Sequence, residues 1–178
     1  MAAILSPCGL YRYTLDRVPT QLMTHAQRRG IEMPVTTGRL LFVMLNPSTA
    51  DANADDPTIL RCMSFALAWG YDHLVVGNLF ALRTPYPADL WEHQRNGLDI
   101  VGPENDEYLN RLAARADRVV IAWGNDGIGE RAEHVLRLLR RRHDVYALGF
   151  TNSGQPKHPL ARGRHRVPNN VELVRVLP

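Results

Sequence analysis

Four short apolar runs, separated by stretches with helix punctuation, predict an α/β protein: a three-layer α/β/α sandwich around a mainly parallel central sheet, with an N-terminal strand at its edge. The runs are Leu40–Leu45, His73–Phe80, Arg118–Trp123 and Asp144–Gly149. Each has the length of a strand, and its lack of alternation fits burial on both faces. Each also empties into a polar cluster, the pattern expected where ligand-binding loops gather beyond the carboxyl ends of parallel strands.

Taken in order, Leu10-Tyr11-Arg12-Tyr13-Thr14-Leu15 alternates as a half-buried strand does and is placed at the sheet edge. After the run at 40–45, Asp56 is a helix N-cap and Pro57 suits the first helical position. Apolar Ile59, Cys62, Met63, Ala66 and Leu67 then continue that helix to Gly70. Beyond the second run, Pro85 and Pro87 mark a loop, and Gly102-Pro103 opens a helix through Tyr108, Leu109, Leu112 and Ala113. Gly124 stops the third run. A periodic helix with Ala132, Val135, Leu136 and Leu139 on one face leads to the fourth.

The 178 residues, 45% hydrophobic and 22% charged, suit one α/β domain over positions 1–178 with an ordinary core. No apolar run approaches the roughly 20 residues that span a bilayer, and the N-terminus lacks a basic stretch before its short apolar start, so a cytoplasmic protein is expected. Two cysteines, Cys8 and Cys62, cannot by themselves ligate an iron–sulfur cluster or a four-cysteine zinc ion, and no metal or cofactor is called for. Charge is divided unevenly. Positions 1–136 carry 12 basic and 16 acidic side chains, whereas 137–178 carry 9 basic and 2 acidic. Such a basic segment is suited either to nucleic-acid phosphates or to an ordinary solvated surface.

The polar clusters are Asn46-Pro47-Ser48-Thr49-Ala50-Asp51, Asn78, Gly124-Asn125-Asp126-Gly127, and Thr151-Asn152-Ser153 running on to His158-Pro159-Leu160. Each has a plain structural reading: Asn-Pro-Ser-Thr makes a good turn, Asn78 can satisfy backbone at a strand end, and the two glycines suit a tight turn. Asp51, Asp55 and Asp56 together could hold a hard cation such as magnesium, although the main role of Asp56 is read as a helix cap, which leaves Asp51 and Asp55 to line the cleft. The helix start at Thr58, helped by Arg61 and Arg83, could equally meet a phosphate.

The segments FVMLNPSTADANADDPTILRC, WGYDHLVVGNLFALR, VVIAWGNDG and LGFTNSGQPKHPLA resemble bacterial and phage proteins grouped as domain of unknown function 1643. The order of the clusters also resembles, more distantly, the uracil-DNA glycosylase superfamily. There a first strand ends in a water-positioning Gly-x-Asn-Pro-Gly motif, a later strand in a base-reading Asn, another in Trp-Gly or Leu-Gly, and a late loop carries His-Pro. The matching positions are Asn46-Pro47, Asn78, Trp123-Gly124 and His158-Pro159. Met44 and Ser48 replace the motif's glycines, and Leu160 replaces the usual Ser after His-Pro.

That resemblance implies a uracil-DNA-glycosylase-like fold and an enzyme that hydrolyses the N-glycosidic bond of a damaged or modified base in DNA. Asn46, His158 and Asp51 would be its catalytic residues. Pro47, Ser48, Asn78, Arg61, Arg83 and Gly124 would bind substrate, and Lys157, Arg162 and Arg164 would meet the nucleic-acid backbone. The rival functions are a non-catalytic module that binds nucleotides or modified DNA, and a metal-dependent phosphate hydrolase or transferase. Under the glycosylase reading Asn46, Asn78 and His158 are expected to line one cleft, with Asp51 near its mouth and the basic tail along its rim.

Overall fold

A computed structural model describes residues 2–19, 37–48, 55–127 and 129–177. Along the chain run β1 (Ala2–Leu5), β2 (Arg12–Arg17), β3 (Arg39–Met44), α1 (Pro57–Ala68), β4 (His73–Asn78), α2 (Pro87–Arg95), α3 (Asn105–Arg115), β5 (Arg118–Ile121), α4 (Glu130–Arg140), β6 (Val145–Ala147) and β7 (Val174–Arg175). The strands form one sheet in the order β1-β2-β4-β3-β5-β6-β7.

The expectation of a mainly parallel sheet is corrected: the sheet is mixed. β4, β3, β5 and β6 pair in parallel at its centre, whereas β1 with β2, β2 with β4 and β6 with β7 pair antiparallel. Parallel neighbours need a long crossover, and only a short turn separates β1 from β2. That N-terminal hairpin also corrects the edge assignment. The alternating segment becomes β2, flanked on both sides, while Ala2–Leu5 forms the edge with Ile4 and Leu5 exposed.

The pleat divides the apolar runs between two cores. Leu40, Phe42 and Met44 of β3, with Leu74, Val76 and Val120, pack on one face against Ile59, Cys62, Met63, Phe65 and Ala66 of α1. Leu41 and Val43, with Val75, Val119 and Ile121, face the other way, toward Leu90 of α2, Leu109 and Ala113 of α3, and Val135 and Leu139 of α4. Each such large aliphatic or aromatic side chain contributes about 1.5–3 kcal/mol when fully buried. Burial also pushes the Cys62 thiol far above its usual range, so this thiol acts as core. No helix among the described residues is long and apolar enough to cross a membrane.

Helix α1 begins as its sequence dictates: Asp56 Oδ1 accepts from the backbone N–H of Ile59 at 2.9 Å, and Pro57 occupies the first turn. Helix α2, by contrast, stands where two prolines predict a loop. Pro87 lies at its start, where the missing N–H costs nothing. Helix α3 begins at Asn105, shortly after Gly102-Pro103.

Candidate functional site: a cleft at the strand ends

A cleft of about 510 Å³ lies beyond the carboxyl ends of β3 and β5. Several segments line it, among them the start of α1 at Asp56, Thr58 and Ile59 and the loop of Thr84, Pro85 and Pro87. The strand end Met44-Leu45-Asn46 supplies one wall, the turn Trp123-Gly124-Asn125-Asp126 a second, and the segment carrying His158, Arg162 and His165 a third.

Asn46 is held in a single orientation. Its Nδ2 donates to the carbonyl oxygens of Pro47 at 3.1 Å and Thr84 at 3.0 Å, and lies 3.2 Å from Thr84 Oγ1. That hydroxyl donates to the Tyr86 carbonyl at 2.8 Å, so toward Asn46 it is an acceptor. Three acceptors around one end of the amide fix which end is nitrogen. Oδ1 is left as an acceptor without a partner among the described residues. The Thr84 N–H closes the loop by donating to the Pro47 carbonyl at 3.0 Å, which explains why Pro47 is buried as scaffold.

His158 presents the opposite polarity. Its Nδ1 accepts the backbone N–H of Leu160 at 3.2 Å, so in the neutral ring the proton resides on Nε2. Burial lowers the imidazole pKa below its ordinary value, with the Asp56 carboxylate pulling partly the other way. The ring is therefore an uncharged N–H donor at neutral pH. Gly124, at φ +76°, sits beneath it; a Cβ there would lie 3.6 Å from the Cβ of His158.

Ser48 lines the cleft and its hydroxyl donates to Asp56 Oδ2. Both carboxylate oxygens of Asp56 are thus engaged, one by Ser48 and one by the helix cap. Asp55 forms an ion pair with Arg17 at 2.5 Å. Across the cleft, Asn125 Oδ1 accepts from the hydroxyls of Thr151 at 2.7 Å and Ser153 at 2.9 Å, tying the β5 turn to the loop after β6.

The remaining sequence candidates are distributed more widely. Asn78 is absent from the cleft lining. It is buried at the end of β4, where its backbone carbonyl accepts from Asn105 Nδ2 at 3.1 Å. Arg61 turns to the C-terminal segment, donating to Asn169 Oδ1 at 2.5 Å and to the Val167 carbonyl at 2.9 Å, with its guanidinium over the Phe65 ring. Arg83 borders a separate shallow depression and donates to the Gly9 carbonyl at 3.3 Å. Lys157 lies along Gly149 and outside the cleft lining. Arg162 lines the cleft, and Arg164 is exposed on the 3-10 turn Gly163–His165 that follows it. Asp51 lies outside the described residues.

Sequence reasoning does not single out Arg12 or Thr84. Arg12 is buried yet lines the cleft, although strand alternation suggests a solvent-facing charge. No sequence signal links Thr84 to Asn46, since their contact spans 38 positions. Among the described residues no group of three or more His, Cys, Asp or Glu side chains could hold a metal ion.

The model of a protein family described as "Protein of unknown function (DUF1643)" matches residues 12–160. No curated protein and no solved structure matches the chain.

Proposed function

The chain belongs to the DUF1643 family, and we propose that it is a nucleic-acid base-processing enzyme, an N-glycosylase that hydrolyses the glycosidic bond of a damaged or modified base in DNA. One observation carries the proposal: Asn46 Oδ1, an oriented acceptor, and the neutral His158, an oriented N–H donor, line the same cleft. Glycosidic cleavage needs this pair of polarities. The sugar acquires oxocarbenium character as the base leaves with growing negative charge on its ring oxygens. An acceptor turns a water so that its oxygen lone pair faces the sugar carbon, and a neutral donor stabilises the departing base.

The order of Asn46-Pro47, Trp123-Gly124 and His158-Pro159, resembling the uracil-DNA glycosylase superfamily, supports the same reading. In it Asn46 orients the water, His158 donates to the base, and Asp51 assists the water from the segment that follows Asn46. Ser48 and Gly124 shape the cleft around the base, while Arg162 and Arg164 meet backbone phosphates.

One observation favours a second reading, a module that binds modified DNA without cutting it. Each oxygen of Asp56 accepts a structural hydrogen bond, from the Ser48 hydroxyl and from the Ile59 N–H, so the orientation of this carboxylate near His158 is set by the scaffold and not by a bound water. The experiment is base release at enzyme excess from oligonucleotides carrying uracil, hypoxanthine or bulky modified pyrimidines. Abasic product from at least one is expected, and Asn46→Ala is expected to abolish turnover while retaining DNA affinity. Affinity with no abasic product from any substrate overturns the enzyme in favour of the binding module.

A further inference from the structure

A second cavity, of about 550 Å³, adjoins the cleft and shares with it the residues Asn125 and Asp126. Its walls include Phe80, two residues beyond β4, Trp91 and Gln94 of α2, Val101, and Glu130 and Arg131 in the first turn of α4. The Trp91 and Phe80 rings meet edge to face with centroids 5.2 Å apart. Arg131 is fixed there: its Nε donates to the Leu79 carbonyl at 2.7 Å, and Nη1 donates to Asp106 Oδ1 at 2.6 Å.

We infer that this cavity is a second base subsite, which receives the nucleobase neighbouring the one in the cleft, so that the ligand is a nucleic-acid strand and not a free nucleotide. The inference rests on the base-processing reading of the cleft. Three features of the wall select the chemistry. Half-buried Trp91 offers an aromatic surface of the kind on which bases stack. Carboxylates of Asp126 and Glu130 repel phosphate but accept from ring N–H and amino groups, and Gln94 offers both a donor and an acceptor. The cation at Arg131 is already neutralised by Asp106. An uncharged, planar group with mixed donors and acceptors on its edge satisfies all of these, and a nucleobase is such a group. Two cavities that share a wall need two linked bases to fill them, whereas a mononucleotide has one.

The test uses the full-length chain and single-stranded pentanucleotides of thymidine and of deoxyadenosine, in which an abasic tetrahydrofuran residue replaces each nucleoside in turn. Binding is measured by fluorescence anisotropy. In the wild-type protein, removing the base is expected to weaken Kd five-fold or more at two positions. Trp91→Ala is expected to leave one sensitive position, Trp91→Phe to restore the second, and His158→Ala to remove the other. Gln94→Ala, at an exposed site on α2, provides a second variant that preserves the core and is expected to reduce the same position as Trp91→Ala at least two-fold. A wild-type profile with one sensitive position, or two that both Trp91→Ala and Gln94→Ala leave intact, overturns the second subsite while the cleft reading stands. A flat profile, with no sensitive position, overturns the cleft reading itself and the subsite with it.

Discussion

The side-chain amide of Asn46 donates to the carbonyl of Thr84 at 3.0 Å, and this contact determines what the cleft can offer a ligand. Because Nδ2 faces Pro47 and Thr84, a carboxylate at position 46 would set an anionic oxygen against two carbonyl oxygens. Asn46→Asp is therefore expected to destabilise the fold by about 1–3 kcal/mol at neutral pH, the usual cost of an unsatisfied or repelled buried polar group. Urea unfolding checks this. Thr84→Val, which keeps the shape but removes the hydroxyl, should cost about 1 kcal/mol and leave the amide held by the carbonyls of Pro47 and Thr84. Retention of wild-type stability by Asn46→Asp would show that the amide is not held as described.

The imidazole of His158 links stability to pH with a definite sign. Burial lowers its pKa in the folded protein, so between that value and the unfolded value of about 6.5 the unfolded chain binds more protons. Its contribution to stability is complete above the unfolded value, falls as pH drops below it, and levels off under the folded pKa. Unfolding free energies from pH 8 to pH 5 should accordingly decline in the wild type and decline less in His158→Gln. If both proteins show the same slope, another group carries the pH dependence. Under the proposed activity, base release should hold steady above neutrality and fall in acid, because a proton on Nδ1 displaces the Leu160 N–H that aims the ring.

The parts of the molecule that were legible in the sequence are those fixed by near neighbours. Asp56 and Pro57 announce α1 because a cap and a first-turn proline act within four residues. Leu40–Leu45 announces β3 because a strand covered on both faces has no polar side to alternate. The misread parts depend on distant contacts or on cues with two meanings. Pro87 punctuates a loop as readily as it starts a helix, and that ambiguity hides α2 together with Trp91. β1 is mostly exposed and β7 is two residues long, so neither carries a burial pattern. Asn46, Gly124 and His158 meet because the parallel strands end together, whereas Asn78 ends a neighbouring strand yet is buried beside the start of α3.

The turn after β5 tolerates side chains unequally. A Cβ on Gly127 would fall 2.1 Å from Trp123 Cδ1, and Trp123 is itself buried, so neither partner can withdraw cheaply. At Gly124 a Cβ would make only an ordinary contact, 3.6 Å from the Cβ of His158, and the obstacle is the backbone at φ +76°. Gly124→Ala should cost about 1–2 kcal/mol for the left-handed conformation, and Gly127→Ala should cost as much or more, within about 1–3 kcal/mol typical of overpacking. The difference in character is measurable. Trp123→Ala should relieve the Gly127→Ala clash in a double-mutant cycle and leave the Gly124→Ala cost unchanged. Additivity in both cycles would remove the Trp123 ring as the cause.

Basic residues in the C-terminal quarter include some with structural partners and others at the cleft rim. Arg175 forms an ion pair with Asp144 at 2.5 Å, Arg137 lies 3.7 Å from Glu133, and Arg140 donates to the carbonyls of Val176 and Leu177. Arg162 lines the cleft and Arg164 projects from the turn beside it, both exposed. If a nucleic-acid backbone passes the cleft, each neutralised phosphate adds to the dependence of affinity on salt, with a slope of roughly 0.7–0.9 per contact in log K against log salt. Charge reversal of Arg162 and Arg164 together should therefore reduce that slope by about 1–2. Reversal of Arg137 and Arg175, equal in charge but away from the cleft lining, should leave it within error of the wild type. Binding of one labelled oligonucleotide across a salt series separates the two pairs. Equal effects would mean that net charge alone governs association, and an unchanged slope in both would exclude the C-terminal arginines from the contact.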